Sequence, residues 1–211
     1  SSLDPRMSVG ESVGEPLLVH GLTDRERRRE RALSLLDRVG LPAGAYGKYP
    51  HELSGGQKQR AALARALVLD PDLLIADEPV NALDASVQAA FLSLLGDLTE
   101  EFGLSVLFIS HDLSVVRAVA DRTAVMYLGE IVERGPTDVL LHEPKHPYTQ
   151  ALVDSMPVPD PDHQRGGAPL EGDIPDPSDP PEGCRFHTRC PAVIPPEQSD
   201  LDEEVWRSLV G

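Results

Sequence analysis

Two short apolar runs constrain this chain most, residues 73–76 (Leu-Leu-Ile-Ala) and 104–109 (Leu-Ser-Val-Leu-Phe-Ile). Each stops at polar residues, the first at Asp77-Glu78 and the second at Ser110-His111-Asp112. Runs this short, closed by such residues, read as buried strands. Between them Asp84 opens a helical pattern with Val87, Phe91, Leu94 and Leu98 on one face. Strands alternating with helices define an α/β domain.

The flanking segments fit this class. Thr23 and Glu26 form a T-x-x-E capping box ahead of a stripe made by Leu33, Leu36 and Val39, and Gly40, Pro42 and Gly44 end that helix. Its Arg-rich face (Arg25, Arg27, Arg28, Arg29, Arg31) is interleaved with acids and reads as solvated. A second helix is expected over 54–69, stopping at Asp70-Pro71, and another over 112–120. Residues 123–133 read as a hairpin turning near Gly129. Residues 1–19 show no helical period and read as loop and strand.

Charge and composition then exclude whole classes. The 211 residues carry a net charge of −16, and only Lys48, Lys58 and Lys145 are lysines. Such a surface repels nucleic acid and anionic lipid. It suits either an ordinary soluble acidic protein or one adapted to high salt. No apolar run approaches the length needed to span a bilayer, and no signal-like segment opens the chain, so the expectation is a cytoplasmic location. Two cysteines do not make a disulfide scaffold. After Met156 the character changes. Eleven of the twenty prolines lie between Pro157 and Pro196, which predicts an extended tail with little regular structure.

Three polar clusters carry the chemistry. In Leu53-Ser54-Gly55-Gly56-Gln57, Ser54 and Gln57 satisfy a capping box, and the glycines leave first-turn N–H groups open to an anion, phosphate above all. Asp77 and Glu78 stand at the C-terminal end of a strand, where open α/β sheets bind ligands. One carboxylate there can hold Mg²⁺ against a phosphate, and its neighbour can deprotonate an attacking water. His111, after the next strand, can hydrogen-bond a γ-phosphate and hold the water in line.

In order and spacing these pieces resemble the signature motif, Walker B strand, D-loop (Ala82-Leu83-Asp84) and switch histidine of ABC ATPases. The resemblance covers about residues 1–156. It implies a partial RecA-like core with a helical signature subdomain at about 20–70, here followed by a Pro-rich C-terminal extension. It implies Asp77 as the acid linked to Mg²⁺ through water, Glu78 as catalytic base and His111 as γ-phosphate sensor. Leu53, Ser54, Gly55, Gly56 and Gln57 would meet ATP held by a second subunit, and Asp84 would line that dimer interface. Where the family reads E-P-T-S-A-L-D, this chain has Val80-Asn81 in place of the two hydroxyl residues. Nothing fits G-x-x-x-x-G-K-[ST]. At Gly47-Lys48 the first glycine is replaced by Pro42 and the hydroxyl residue by Tyr49. The expectation is therefore a sequence that lacks its N-terminal nucleotide-binding half.

Two further stretches narrow the resemblance. Asp4-Pro5-Arg6-Met7 with Glu15-Pro16-Leu17, and His146-Pro147-Tyr148-Thr149, are similar to ATPase subunits of oligopeptide and dipeptide importers. The expected division is 1–134 for the ATPase domain and 135–211 for the C-terminal region of that subfamily. The partners implied are a second ATPase subunit (identical or paralogous), two membrane permease subunits and, indirectly, an extracytoplasmic peptide-binding protein, with no nucleic acid. This places the protein peripherally on the cytoplasmic face of the membrane. The alternatives are a non-transport ABC ATPase and an inactive fragment.

Two metal patterns fail. His142-Glu143-Pro144-Lys145-His146 matches H-E-x-x-H, but Pro144 breaks the helical turn that motif requires. Cys184 and Cys190 resemble the subfamily's cysteine cluster, which holds iron–sulfur in some members. Two thiolates fall short of four, and Glu197 stands where a third cysteine is often found.

Overall fold

A computed structural model describes residues 3–22, 24–156, 170 and 172–193. It divides into two compact units, residues 1–111 and 112–211.

The first unit opens with a helix, α1 (Val9–Val19), where the sequence reading expected loop and strand. Its start is encoded by Ser8 and Glu11, whose side chains each accept from the other's backbone N–H. Val9, Val13 and Leu17 recur every four residues and are buried. Pro16 hid this helix, because proline in a helix interior cannot donate to the carbonyl four residues back. That carbonyl belongs to Ser12, and it accepts from the Arg65 guanidinium instead, at 3.2 Å, while Arg65 also pairs with Glu15 at 2.8 Å.

The second helix, α2 (Arg25–Arg38), is capped by Asp24, which accepts from the N–H of Arg27 at 2.9 Å. The capping box expected at Thr23 rests on a residue outside those described. The buried stripe is Ala32, Leu35, Leu36 and Val39, with Leu33 at its edge. The third helix, α3 (Gly55–Leu67), packs Ala61, Ala64 and Leu67 against both preceding helices. Arg60 ties α3 to the end of α2 by donating to the carbonyl of Val39 at 2.9 Å.

Beyond this three-helix group, β1 (Leu73–Asp77) and β2 (Ser105–Ile109) pair in parallel, Leu73 opposite Ser105 and Asp77 opposite Ile109. The crossover between them is α4 (Ala85–Phe102), capped by Asp84 and ended by Gly103 at φ 62°. The strands are not buried on both faces, contrary to expectation. Leu74 is covered, but Leu73, Ile75, Leu107 and Ile109 are exposed. Their unbroken apolar runs suit a sheet interior, yet within the described residues the sheet has only two strands and one covered face.

The second unit begins with α5 (Leu113–Val119), capped by Asp112. Strands β3 (Arg122–Tyr127) and β4 (Glu130–Pro136) follow as an antiparallel hairpin. Its turn is Leu128-Gly129, both at positive φ (45° and 83°), the geometry of a tight two-residue connection. Helices α6 (Thr137–His142) and α7 (Pro147–Asp154) complete the unit with a short 3₁₀ turn at His187–Arg189. Val125, Leu140 and Leu141 form its core with Leu113, Val132, Tyr148, Leu152, Val153 and Met156 around them. Described residues 172–193 hold that one turn and no other regular element, as the proline content predicts; the rest of the expected tail lies outside the described residues.

Gly10 gives a packing test. A Cβ there would lie 2.3 Å from Cδ2 of Tyr46 and 2.5 Å from its Cγ, so rotating the ring cannot clear it. Gly10→Ala should destabilise by ~1–3 kcal/mol. In a Tyr46→Ala background the same change should become neutral or stabilising, by no more than ~1 kcal/mol from helix propensity. Chemical denaturation of the four proteins in the cycle measures both signs.

Candidate nucleotide site

The site residues named from the sequence lie within the first unit, in two constellations. The first is the start of α3. Ser54 Oγ accepts from the N–H of Gln57 at 3.3 Å, and Gln57 Oε1 accepts from the N–H of Ser54 at 3.0 Å. Leu53 is buried beneath, while Ser54 and Gly55 are exposed. This reciprocal cap fixes the first turn and presents its free N–H groups outward, with the positive end of the helix dipole behind them.

A shallow groove opens here, lined by Ser54, Gly56, Gln57 and Arg60 of α3 and by Ser86, Val87 and Ala90 of α4. Gly56 is required by this approach, since a Cβ on it would lie 2.5 Å from Val87 Cγ1. Asp84 fixes the α4 side. Its carboxylate accepts from the N–H of Val87 at 2.9 Å and from the Ser86 hydroxyl at 2.7 Å. Those bonds, the Val87 N–H first, hold its pKa below the usual carboxylate value. Arg60, Ser86 and Val87 were missed by sequence reasoning. They belong to no motif and enter the site only because α3 packs on α4.

The second constellation lies at the C-terminal ends of β1 and β2. The Glu78 N–H donates to the Ile109 carbonyl at 3.0 Å, which continues the parallel ladder one residue past β1. Glu78 then turns to φ 47°, a left-handed conformation costly for a residue with a Cβ. Its Oε1 lies 2.8 Å from Nδ1 of His111. Glu78 is half-buried, whereas Asp77 and His111 are exposed.

Among the described residues no three His, Cys, Asp or Glu side chains come together to hold a metal. His142 ends α6, while His146 caps α7, with Pro144 between them. Cys184 and Cys190 are free thiols, and Glu197 lies outside the described residues. The solvent-facing carboxylate of Asp77 suits Mg²⁺ of the kind carried by nucleotide phosphates, which keeps most of its waters and takes only one or two protein carboxylates.

An α/β sheet edge with an acid–histidine pair, together with a glycine-rich helix start, suits the binding of nucleotide phosphates. Residues 1–81 match the ABC transporter family, and residues 132–195 match the oligopeptide/dipeptide transporter C-terminal region. The two matched segments together place the chain in the ABC transporter family. It is 53% identical to the dipeptide transport ATP-binding protein DppF of Escherichia coli over 90% of this chain and 57% of that protein. Identity to the oligopeptide transport ATP-binding protein OppF of Escherichia coli is 50%, over 92% of this chain and 59% of that protein. The dimeric, ADP- and phosphate-bound cassette MJ0796 superposes with a TM-score of 0.57 at 36% identity, covering 64% of this chain and 59% of that one. The fold is therefore a partial RecA-like ABC ATPase. The chain spans somewhat over half the length of the curated relatives it matches.

The backbone of Glu78 allows a test separate from activity. Replacing Glu78 by Gly or by Ala removes the carboxylate in both cases, but only Gly relaxes the positive φ. Glu78→Gly should be more stable than Glu78→Ala by ~1 kcal/mol, read from denaturant midpoints at equal slope.

Proposed function

We propose that this chain supplies the signature motif, catalytic carboxylate and switch histidine of a subunit that hydrolyses ATP to drive import of oligopeptides or dipeptides. The observation that carries the reading is the 2.8 Å contact between Glu78 and His111 at the ends of adjacent parallel strands. With Nδ1–H donating to the Glu78 carboxylate, the ring is left Nε2 to reach phosphate, and Nε2 donates when the ring carries both protons.

In this mechanism water attacks the γ-phosphorus, the bond from phosphorus to the ADP oxygen breaks, and the water's proton passes to Glu78. His111, already oriented by Glu78, hydrogen-bonds the γ-phosphate and holds the attacking water in line. Asp77 would hold Mg²⁺ accompanying the nucleotide, whose charge offsets that of the phosphates when bound. Leu53 seats the start of α3 from below. Ser54, Gly55, Gly56 and Gln57 then offer a hydroxyl and N–H groups to the γ-phosphate of ATP held by a second subunit. Asp84 caps α4 beside the groove and lines the same interface. The dimeric form of the MJ0796 cassette supports this composite arrangement.

Nucleotide then joins two such subunits, and hydrolysis separates them. Two membrane permease subunits would convert that cycle into transport, with an extracytoplasmic peptide-binding protein delivering cargo and this subunit peripheral on the cytoplasmic face. Among the described residues no helix is long and apolar enough to cross a membrane, so membrane attachment in this reading passes through the permeases. The names of the relatives support peptides as cargo.

In the whole protein, Glu78→Gln should reduce turnover by more than about a hundredfold while ATP binding persists and a nucleotide-bound dimer accumulates. Hydrolysis near wild type in that variant would move the base elsewhere. Ser54→Arg should leave ATP binding intact but abolish dimer closure, hydrolysis and peptide uptake together. Undiminished hydrolysis, linear in protein concentration, would overturn the composite site.

A further inference from the structure

The His146-Pro147-Tyr148-Thr149 stretch has no part in the nucleotide site, and the second unit gives it a physical role. Pro147 occupies the first position of α7, where its missing N–H costs nothing. His146 is the N-cap, and its Nδ1 accepts from the N–H of Tyr148 at 3.1 Å. A backbone N–H can only donate, so Nδ1 must carry a lone pair and the ring must be neutral with its proton on Nε2.

The residues around this cap are specific. Glu133 on β4 receives the N–H of Lys145 at 2.8 Å and that of His146 at 3.0 Å, one on each oxygen. The His146 ring lies 5.7 Å from that of Phe186, which is fully buried. Phe186 in turn meets Tyr127 at 5.2 Å and Tyr148 at 5.3 Å. Thr149 is wholly buried beside Glu133, its hydroxyl without a partner in full hydrogen-bond geometry. The segment bearing Phe186 is pinned to the hairpin by Arg185, which pairs with Glu130 at 3.0 Å and donates to the Leu128 carbonyl.

We propose that His146 is a proton-sensitive latch for the C-terminal region: its neutral imidazole holds the first turn of α7 closed, and its protonation opens it. Protonation turns Nδ1 from acceptor to donor, which breaks the cap and places a cation at the positive end of α7.

The groups facing His146 set the window. From β4 comes the Glu133 carboxylate, which attracts the protonated ring. From β3 comes Tyr127, packed on the Tyr148 and Phe186 rings. From the segment at 184–190 comes Phe186, with Arg185 committed to the hairpin and Arg189 acting on Tyr148. Along its own segment are Glu143, Lys145 and Tyr148, and from α6 His142, bonded to the Asp138 carbonyl. Burial outweighs the pull of Glu133 and lowers the His146 pKa. A lowered folded-state value means the cap is fully present above the ordinary imidazole value of about 6.5 and is lost as pH falls through the folded value. Burial also raises the Glu133 pKa, but the Thr149 hydroxyl and the two N–H groups bring it below the usual value, so Glu133 stays ionised through that step.

The test is hydrogen exchange of the Tyr148 amide in the full chain at pH 7.5 and 5.5, corrected for intrinsic exchange. Wild type should lose about fivefold in protection on acidification, the scale of one helix cap. His146→Asn keeps a capping acceptor that does not titrate and should be protected equally at both values. His146→Ala should be unprotected at both. Parallel loss in wild type and the Asn variant, or a protected Ala variant at pH 7.5, overturns the latch. A measurement on wild type alone also decides it. Nitrogen shifts of the His146 ring should show the Nε2–H tautomer at pH 7.5, and finding the proton on Nδ1 overturns the proposal.

Discussion

The parallel pairing of β1 with β2 is the constraint on which the proposed hydrolytic site depends. Parallel strands cannot be joined by a tight turn, so a long crossover must separate them, and here α4 provides it. Parallel pairing also puts both C-terminal ends on one edge, which is why Asp77-Glu78 and Ser110-His111, more than thirty positions apart in sequence, become neighbours. The bond from the Glu78 N–H to the Ile109 carbonyl is the last rung of that ladder. It holds Glu78 in a left-handed turn that the backbone alone would disfavour, and the turn aims its carboxylate at His111. The strain at Glu78 is thus offset by sheet pairing and supports the contact with His111.

The nucleotide motifs were legible in the sequence because their geometry is local. Ser54 with Gln57, and Asp84 with Val87, are caps spanning three residues, and capping depends on little else. What the sequence concealed depended on distant partners. The helix α1 was masked by Pro16 because its compensation comes from Arg65, fifty residues on in the chain. Strand burial was misjudged because an apolar run states what a strand is suited to contact, and the described residues cover only one face. The groove beside α3 was invisible because Arg60, Ser86 and Val87 meet only through helix packing.

The second unit shows the same division between local and distant order. Pro147 predicts a helix start from sequence, and one is found. No periodicity indicates that Glu133, on another element, satisfies two successive N–H groups just before that helix. A carboxylate bridging two successive N–H groups fixes the direction of the incoming chain. The aromatic contacts of Tyr127, Tyr148 and Phe186 then close over it, joining the hairpin, α7 and the cysteine-bearing segment. Cys184 and Cys190 flank Phe186 in the chain.

Glycine in the signature turn serves two separate physical demands. Gly56 is fixed by the chain's own packing, since a Cβ there would meet Val87 at 2.5 Å. Its presence would be required even if nothing bound, so it says little about phosphate. Gly55 is different. A Cβ there would lie 3.5 Å from Leu83, ordinary contact distance, so packing tolerates a side chain. A glycine in the first turn of a helix also forfeits propensity, roughly 1 kcal/mol relative to alanine in a helix interior. An exposed position that packing leaves open and propensity disfavours needs another reason for glycine. Close approach of a ligand to the bare N–H groups supplies one. Within the LSGGQ sequence, Gly55 and the exposed Ser54 therefore carry the argument for an anion at this helix start, while Gly56 and Leu53 carry the fold beneath it.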